Sequence, residues 1–213
     1  NIMENIKEFS LGDIELFKGD DNVDFAIAEV YFLSSGNNAQ NCPISEEVLR
    51  RDAKSALGKP IVAKFHKWKG DVGGHEADEV IVGWIPESSE IEFKEKDGKL
   101  FAVAKAVISK LYGTDTYLLF KKDNLRSVSS EFSAYQPNAN ELGEGDVEGF
   151  AIRAVTILGK TIAPAIEGAD IKMLKFSEKD ANDFYSSQAS NELKRFAESR
   201  KEKLGSKIKK KKL

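Results

Sequence analysis

The sequence predicts an α+β domain, a small and mainly antiparallel β-barrel with a few flanking helices, followed by a basic C-terminal tail. Three observations predict it. Short runs rich in β-branched and aromatic residues recur along the chain. They are joined by tight turns or by single helix-like segments, which favours antiparallel neighbours and a barrel or sandwich. After Phe176 the apolar positions thin out and charge takes over.

The elements follow in order. Residues 1–20 alternate only weakly. Residues 24–35 read as a strand, with Phe25, Ile27, Val30, Tyr31 and Phe32 as β-formers, ended by the turn residues Gly36, Asn37 and Asn38. Ser45 followed by Glu46 and Glu47 is a helix N-cap with acids in the first turn. Val48, Leu49, Ala53, Ala56 and Leu57 share one face of that helix, and Gly58 and Pro60 stop it. A short strand spans 61–65. A Gly-rich loop leads from there to His75 and into a buried-strand pattern at 81–85. Residues 91–108 form a hairpin turning near Asp97-Gly98, with Phe101, Val103 and Ala104 pointing inward. One or two short helices follow over 108–122. The segment 124–135 is strand-like, with Val128 and Phe132 as its apolar members. A polar loop, 136–148, precedes the last strongly apolar strand, 150–159. The domain is expected over 1–176 and the tail over 177–213.

Composition narrows the function classes. The 213 residues include 32 Lys/Arg and 35 Asp/Glu, for a net charge of −3. Residues 194–213 hold ten Lys/Arg and two Glu, a local +8 that leaves −11 for the rest. The single cysteine, Cys42, excludes an intramolecular disulfide framework and a Cys-based zinc site within the chain. Cys42 precedes Pro43 with no histidine close by in sequence, and is not expected to be a nucleophile. No apolar run approaches the roughly 18–20 residues that span a bilayer, and the N-terminal segment is too acidic for a secretory signal. The expectation is a soluble protein of a reducing compartment without a membrane partner.

Histidine chemistry must use His66 or His75. His75 follows two glycines and precedes a buried strand, where a rigid sheet can present it at a cleft. Glu76, Asp78 and Glu79 surround it with negative charge that favours a protonated ring. Ser127, Ser129, Ser130 and Ser133 are the candidate nucleophiles. Strand alternation sets Ser127, Ser129 and Glu131 on one face, and Val128, Ser130 and Phe132 on the other. If Val128 and Phe132 face the core, Ser129 faces a cleft or solvent, and His75 is the obvious base for it. His66, Asp71, His75, Glu76 and Asp78 carry metal-ligand atoms, but nine residues separate the histidines and no HExxH pattern is present; no metal and no cofactor are expected. The lysine run 207–212 can meet nucleic acid or an acidic surface through charge alone, with no reading motif beside it.

Gly58-Lys59-Pro60 before a short strand, His75 ahead of a strand containing Gly83, Ser129-Ser130-Glu131-Phe132, and Pro164-Ala165 occur in the order found in one family. Over residues 24–175 the chain resembles the tailed-phage prohead (capsid maturation) proteases, related to the herpesvirus assembly proteases. The resemblance implies a herpesvirus-protease-like barrel and a serine endopeptidase with Ser129 as nucleophile and His75 as base. It implies phage scaffold and major capsid protein as substrates, cut inside the immature capsid in the host cytoplasm, and leaves room for a homo-oligomer. The basic tail is then a connector or a self-cleaved segment. Glu131 stands where Gly is common in the family. Arg153 and Ala154 stand where an acid often orients the histidine, and no second histidine follows the serine. Glu148 is the first candidate for the third catalytic member and Asp146 the second, with a Ser-His dyad also open. Ser130 and Ser127 remain alternatives to Ser129. Oxyanion donors are sought in the Arg126-Ser127 segment or in 155–160. The alternatives to an enzyme are a non-enzymatic head-assembly or scaffold component and a nucleic-acid-binding protein acting through the tail.

Overall fold

A computed structural model describes residues 25–174 of the chain. The expected boundary near Phe176 and the basic tail lie outside the described residues, as does the weakly alternating segment 1–20.

The described residues hold ten strands and two short helices. Strand β1, Phe25–Ser34, buries alternate residues, and Ala26, Ala28, Val30 and Phe32 face inward. Helix α1, Glu46–Asp52, starts where the Ser45 side chain accepts the Val48 N–H at 3.2 Å. Glu46 and Glu47 sit in its first turn and Arg50 and Arg51 in its last, each sign suited to the helix dipole. The helix tightens into a 3-10 turn at Ala53–Ala56. Gly58, at φ +74°, then takes the left-handed conformation that reverses the chain.

Strand β2 is Pro60–Ala63, and a small hairpin pairs β3, Phe65–His66, with β4, Asp71–Val72. Strand β5, Val80–Trp84, runs against β2. Strands β6, Ile91–Lys96, and β7, Lys99–Ser109, form the expected hairpin. Asp97 and Gly98, at φ +51° and +74°, carry the positive dihedrals of a two-residue turn. Helix α2 is Thr114–Lys122. Strands β8, Leu125–Tyr135, β9, Gly149–Ile157, and β10, Asp170–Met173, complete the set.

Seven strands close into a ring in the order β1-β10-β8-β9-β2-β5-β7 and back to β1, with β6 added outside β7. Every ring pairing is antiparallel except β2–β9. The barrel is therefore mixed. The crossover between β2 and β9 carries the small hairpin, β5–β7, α2 and β8. Phe32, Leu33, Ile61, Phe101, Ile108, Ile152 and Ile157 are among its fully buried side chains. Gly83 pairs with Ile108, and a Cβ there would meet the Val107 carbonyl oxygen at 2.1 Å, so only glycine allows the close approach of β5 to β7.

Two elements differ from the sequence expectation. The Gly-rich stretch after β2 contains the β3–β4 hairpin. The strand 150–159 is not the last of the barrel; β10 follows it and joins β1 to β8. Its four residues are too short for periodicity to single out.

Candidate functional site

Strand β8 alternates in burial only as far as Val128: Val128 and Ser129 are both buried, and Ser130, Glu131 and Phe132 are half-buried. Val128 is fully buried, and Phe132 packs against the core. Ser130 shares their parity and donates its hydroxyl to the Phe32 carbonyl at 2.6 Å. Its hydrogen is thus committed to holding β8 near β1. Ser129 and Glu131 have the opposite parity. Across the ladder Ser129 pairs with Thr156 of β9, and Glu131 with Ala154. The register slips between Glu131 and Phe132, where β9 carries Arg153 as an extra residue. Such a bulge re-aims neighbouring side chains.

Thr156 is fully buried, the one polar residue of an apolar run. Its hydroxyl donates to Glu131 Oε1 at 2.8 Å and lies 3.2 Å from His75 Nδ1. Diagonal partners on neighbouring strands are within reach of a glutamate, which is why this register joins residues 131 and 156. His75 sits on the loop between β4 and β5. That loop is pinned by Gly73 N–H donating to Lys64 O and by Gly159 N–H donating to Gly73 O, at 2.8 and 3.0 Å. A Cβ on Gly159 would meet the Val72 oxygen at 2.3 Å, so the glycine permits this contact.

His75 Nδ1 lies 3.2 Å from Glu131 Oε1. With Nδ1–H donating to the carboxylate, the neutral ring keeps its lone pair on Nε2, the tautomer a general base needs. His75 and Ser129 both line one cavity, of about 850 Å³, as do Ser130, Glu79, Glu131 and Phe132. Ser129 is 7% exposed, and among the described residues its Oγ makes no hydrogen bond. The cavity also meets Cys42, a buried thiol 3.3 Å from Gln40 O and 3.4 Å from Gly143 O.

Glu79 completes the acidic wall. Its Oε1 is buried without a hydrogen-bond partner. Burial, then the charge of Glu131, push its carboxyl above the ordinary value. One ligand atom each from His75, Glu79 and Glu131 lie within 4.8 Å of one another.

Other expected site residues fall elsewhere. Glu148 and Asp146 line a separate cavity of about 510 Å³ beside α1, with Ser45 and Arg51. Glu148 Oε1 accepts from Asn138 at 3.4 Å, and its carbonyl accepts from Arg51 at 2.7 Å. Glu148 precedes β9 by one residue, whereas Thr156 lies eight residues further along, roughly 25 Å at strand rise. Glu148 is therefore not beside His75; the carboxylate beside His75 Nδ1 is that of Glu131. Four of the five metal-ligand candidates have other partners. His66 Nε2 and Glu76 Oε1 pair at 2.7 Å, Asp71 accepts from Arg126 at 2.7 Å, and Asp78 is paired with Lys64. The Lys64 ammonium holds Asp78 below the ordinary carboxylate value. Of the amides considered as oxyanion donors, those of Leu158, Gly159 and Lys160 donate to Ser127 O, Gly73 O and Asp71 Oδ2.

Thr156 went unnoticed in the sequence. Its signal is a hydroxyl inside the apolar run 154–158, which demands a buried partner.

No curated protein and no solved structure matches the chain. A family model described as the YonD N-terminal domain matches residues 24–196, which takes in every described element. The chain belongs to the YonD N-terminal domain family.

Proposed function

We propose that this chain is a serine endopeptidase of the prohead-maturation type. The observation that carries the reading is the Glu131–His75 contact at 3.2 Å, made from the same strand face as Ser129. Carboxylate, imidazole and hydroxyl then stand in the roles of a catalytic triad, with Glu131 as the third member.

The chemistry follows from these roles. Ser129 Oγ attacks the scissile carbonyl carbon while its proton passes to His75 Nε2. Glu131 stabilises the imidazolium and fixes the ring through Nδ1–H. The tetrahedral intermediate collapses as His75 returns the proton to the leaving amine. Water then attacks the acyl ester with His75 again as base, releasing the acid and restoring Ser129. A Ser129 hydroxyl without a hydrogen bond among the described residues suits an enzyme whose nucleophile–base contact tightens on substrate binding. Scaffold and major capsid protein are the proposed substrates, inside the immature capsid, with the basic tail as connector or self-cleaved segment.

A fluorophosphonate probe followed by peptide mapping tests the reading. Label is expected on Ser129 and absent in His75→Ala. Absence of label in the folded wild-type chain, or label on Ser127 or Ser130, overturns the assignment. The first of those outcomes favours a non-enzymatic head-assembly component.

A further inference from the structure

Glu79 has no role in the serine mechanism, yet it brings a carboxylate oxygen without a hydrogen-bond partner into the same cleft. A buried, unpartnered polar atom is costly unless something fills the position beside it. We propose that His75, Glu79 and Glu131 form a divalent-cation site that takes Zn²⁺ and holds the cleft inactive while filled.

The donor set is one imidazole nitrogen and two carboxylates. That mixture suits Zn²⁺ better than Mg²⁺ or Ca²⁺, which favour all-oxygen shells. With metal–ligand bonds of about 2.0–2.1 Å, the edge of a tetrahedral site is roughly 3.4 Å. The His75 Nδ1 to Glu131 Oε1 separation, 3.2 Å, already has that length. One donor atom from each of the three residues lies within 4.8 Å of the others, so a modest side-chain rotation of Glu79 shortens the two remaining edges. Thr156 steadies the site from behind, since its hydroxyl donates to Glu131 Oε1 at 2.8 Å. Such outer partners orient ligating carboxylates. Three protein ligands leave the fourth position to water.

The consequence for catalysis rests on the serine-protease reading; the site itself does not. A cation on Nδ1 displaces the proton from that nitrogen, and the neutral ring then carries its one proton on Nε2. Nε2 becomes a donor and cannot accept the Ser129 proton. A cation on Nε2 occupies the same lone pair directly.

The test uses the full chain, stripped with a chelator and titrated with zinc chloride by calorimetry at neutral pH. One Zn²⁺ per chain is expected. Glu79→Gln and Glu131→Gln should each weaken binding about tenfold or more, and His66→Asn should leave it unchanged. Metal-free melting curves show whether each variant is folded. No saturable binding, or wild-type affinity in both folded glutamine variants, overturns the site. So does binding that is lost in His66→Asn and kept in Glu79→Gln. Zinc should slow fluorophosphonate labelling of the wild type about tenfold or more, reversed by chelator. Undiminished labelling of the zinc-saturated chain overturns the inhibitory role. Zinc binding that depends on Glu79, in a chain no probe labels, supports the site while removing the serine reading.

Discussion

Replacing Glu131 with glutamine isolates the charge at the centre of the proposed triad. The side chain keeps its size and can still accept from Thr156. It loses the negative charge 3.2 Å from His75 Nδ1. Two unit charges at that distance attract by roughly 5 kcal/mol at an effective dielectric near 20 and by about 1.3 kcal/mol in bulk water. The side chains of His75 and Glu131 are 48% and 41% exposed, which places the pair between those limits. A value of about 2–3 kcal/mol for the imidazolium formed during attack corresponds to a loss of roughly 30- to 160-fold in rate. Stopped-time fluorophosphonate labelling of Ser129, in chelator-treated protein, measures it. The melting temperature should change little, because both side chains are substantially exposed. Labelling of Glu131→Gln at the wild-type rate, with His75→Ala inactive, would show that Glu131 is not the third member.

Four further outcomes are expected. Ser129→Ala should abolish labelling and leave stability unchanged. Ser130→Ala should retain labelling and lose about 1 kcal/mol in urea denaturation, because it removes the hydroxyl held by the Phe32 carbonyl at 2.6 Å; the reverse pattern refutes the register. Gly83→Ala should lower the melting temperature by roughly 3–10 °C, since its Cβ meets backbone rather than a movable side chain; an unchanged transition refutes the close approach of β5 to β7. Asp52→Ala should cost about 1–2 kcal/mol at neutral pH by orphaning the Phe150 N–H, accepted by Asp52 Oδ2 at 3.0 Å. The Arg51 guanidinium holds Asp52 below the ordinary carboxylate value. That contribution is therefore fully present above about pH 4 and lost as pH falls through the lower folded value. A difference between wild type and variant that grows in acid contradicts this sign.

Much of the barrel was legible because its signals are local. Alternation marked β1 and β8, the Asp97-Gly98 pair marked the β6–β7 turn, and Ser45 marked the start of α1. What was not legible depends on partners far apart in sequence. Strand β10 is four residues long and exists because β1 and β8 flank it. The parallel β2–β9 pairing joins residues 61 and 155 and leaves no pattern in either segment alone.

The site divides along the same line. Parity within one strand gives Ser129 and Ser130 opposite directions, because the side-chain period of a strand is two residues, and the proposal of Ser129 over Ser130 rests on that parity and on the Ser130–Phe32 hydrogen bond. Choosing the carboxylate that meets His75 needed the register of β8 against β9. Glu148 stands beside β9 in sequence, where the proteases the chain resembles often carry an acid that orients the histidine. Yet proximity along an extended chain is distance in space, and the full length of β9 separates it from Thr156. Glu131 stands where the family pattern favours glycine, two residues after Ser129 on the same face, and so reaches the histidine that the Gly73-Gly74 loop brings over β9. In the proposed triad the acid missing from β9 is supplied instead by Glu131, on the same strand as the proposed nucleophile Ser129. On that proposal Ser129 and the carboxylate beside His75 share a single β8 segment. That segment also places Glu131 close enough to Glu79 for the two carboxylates to share a cation.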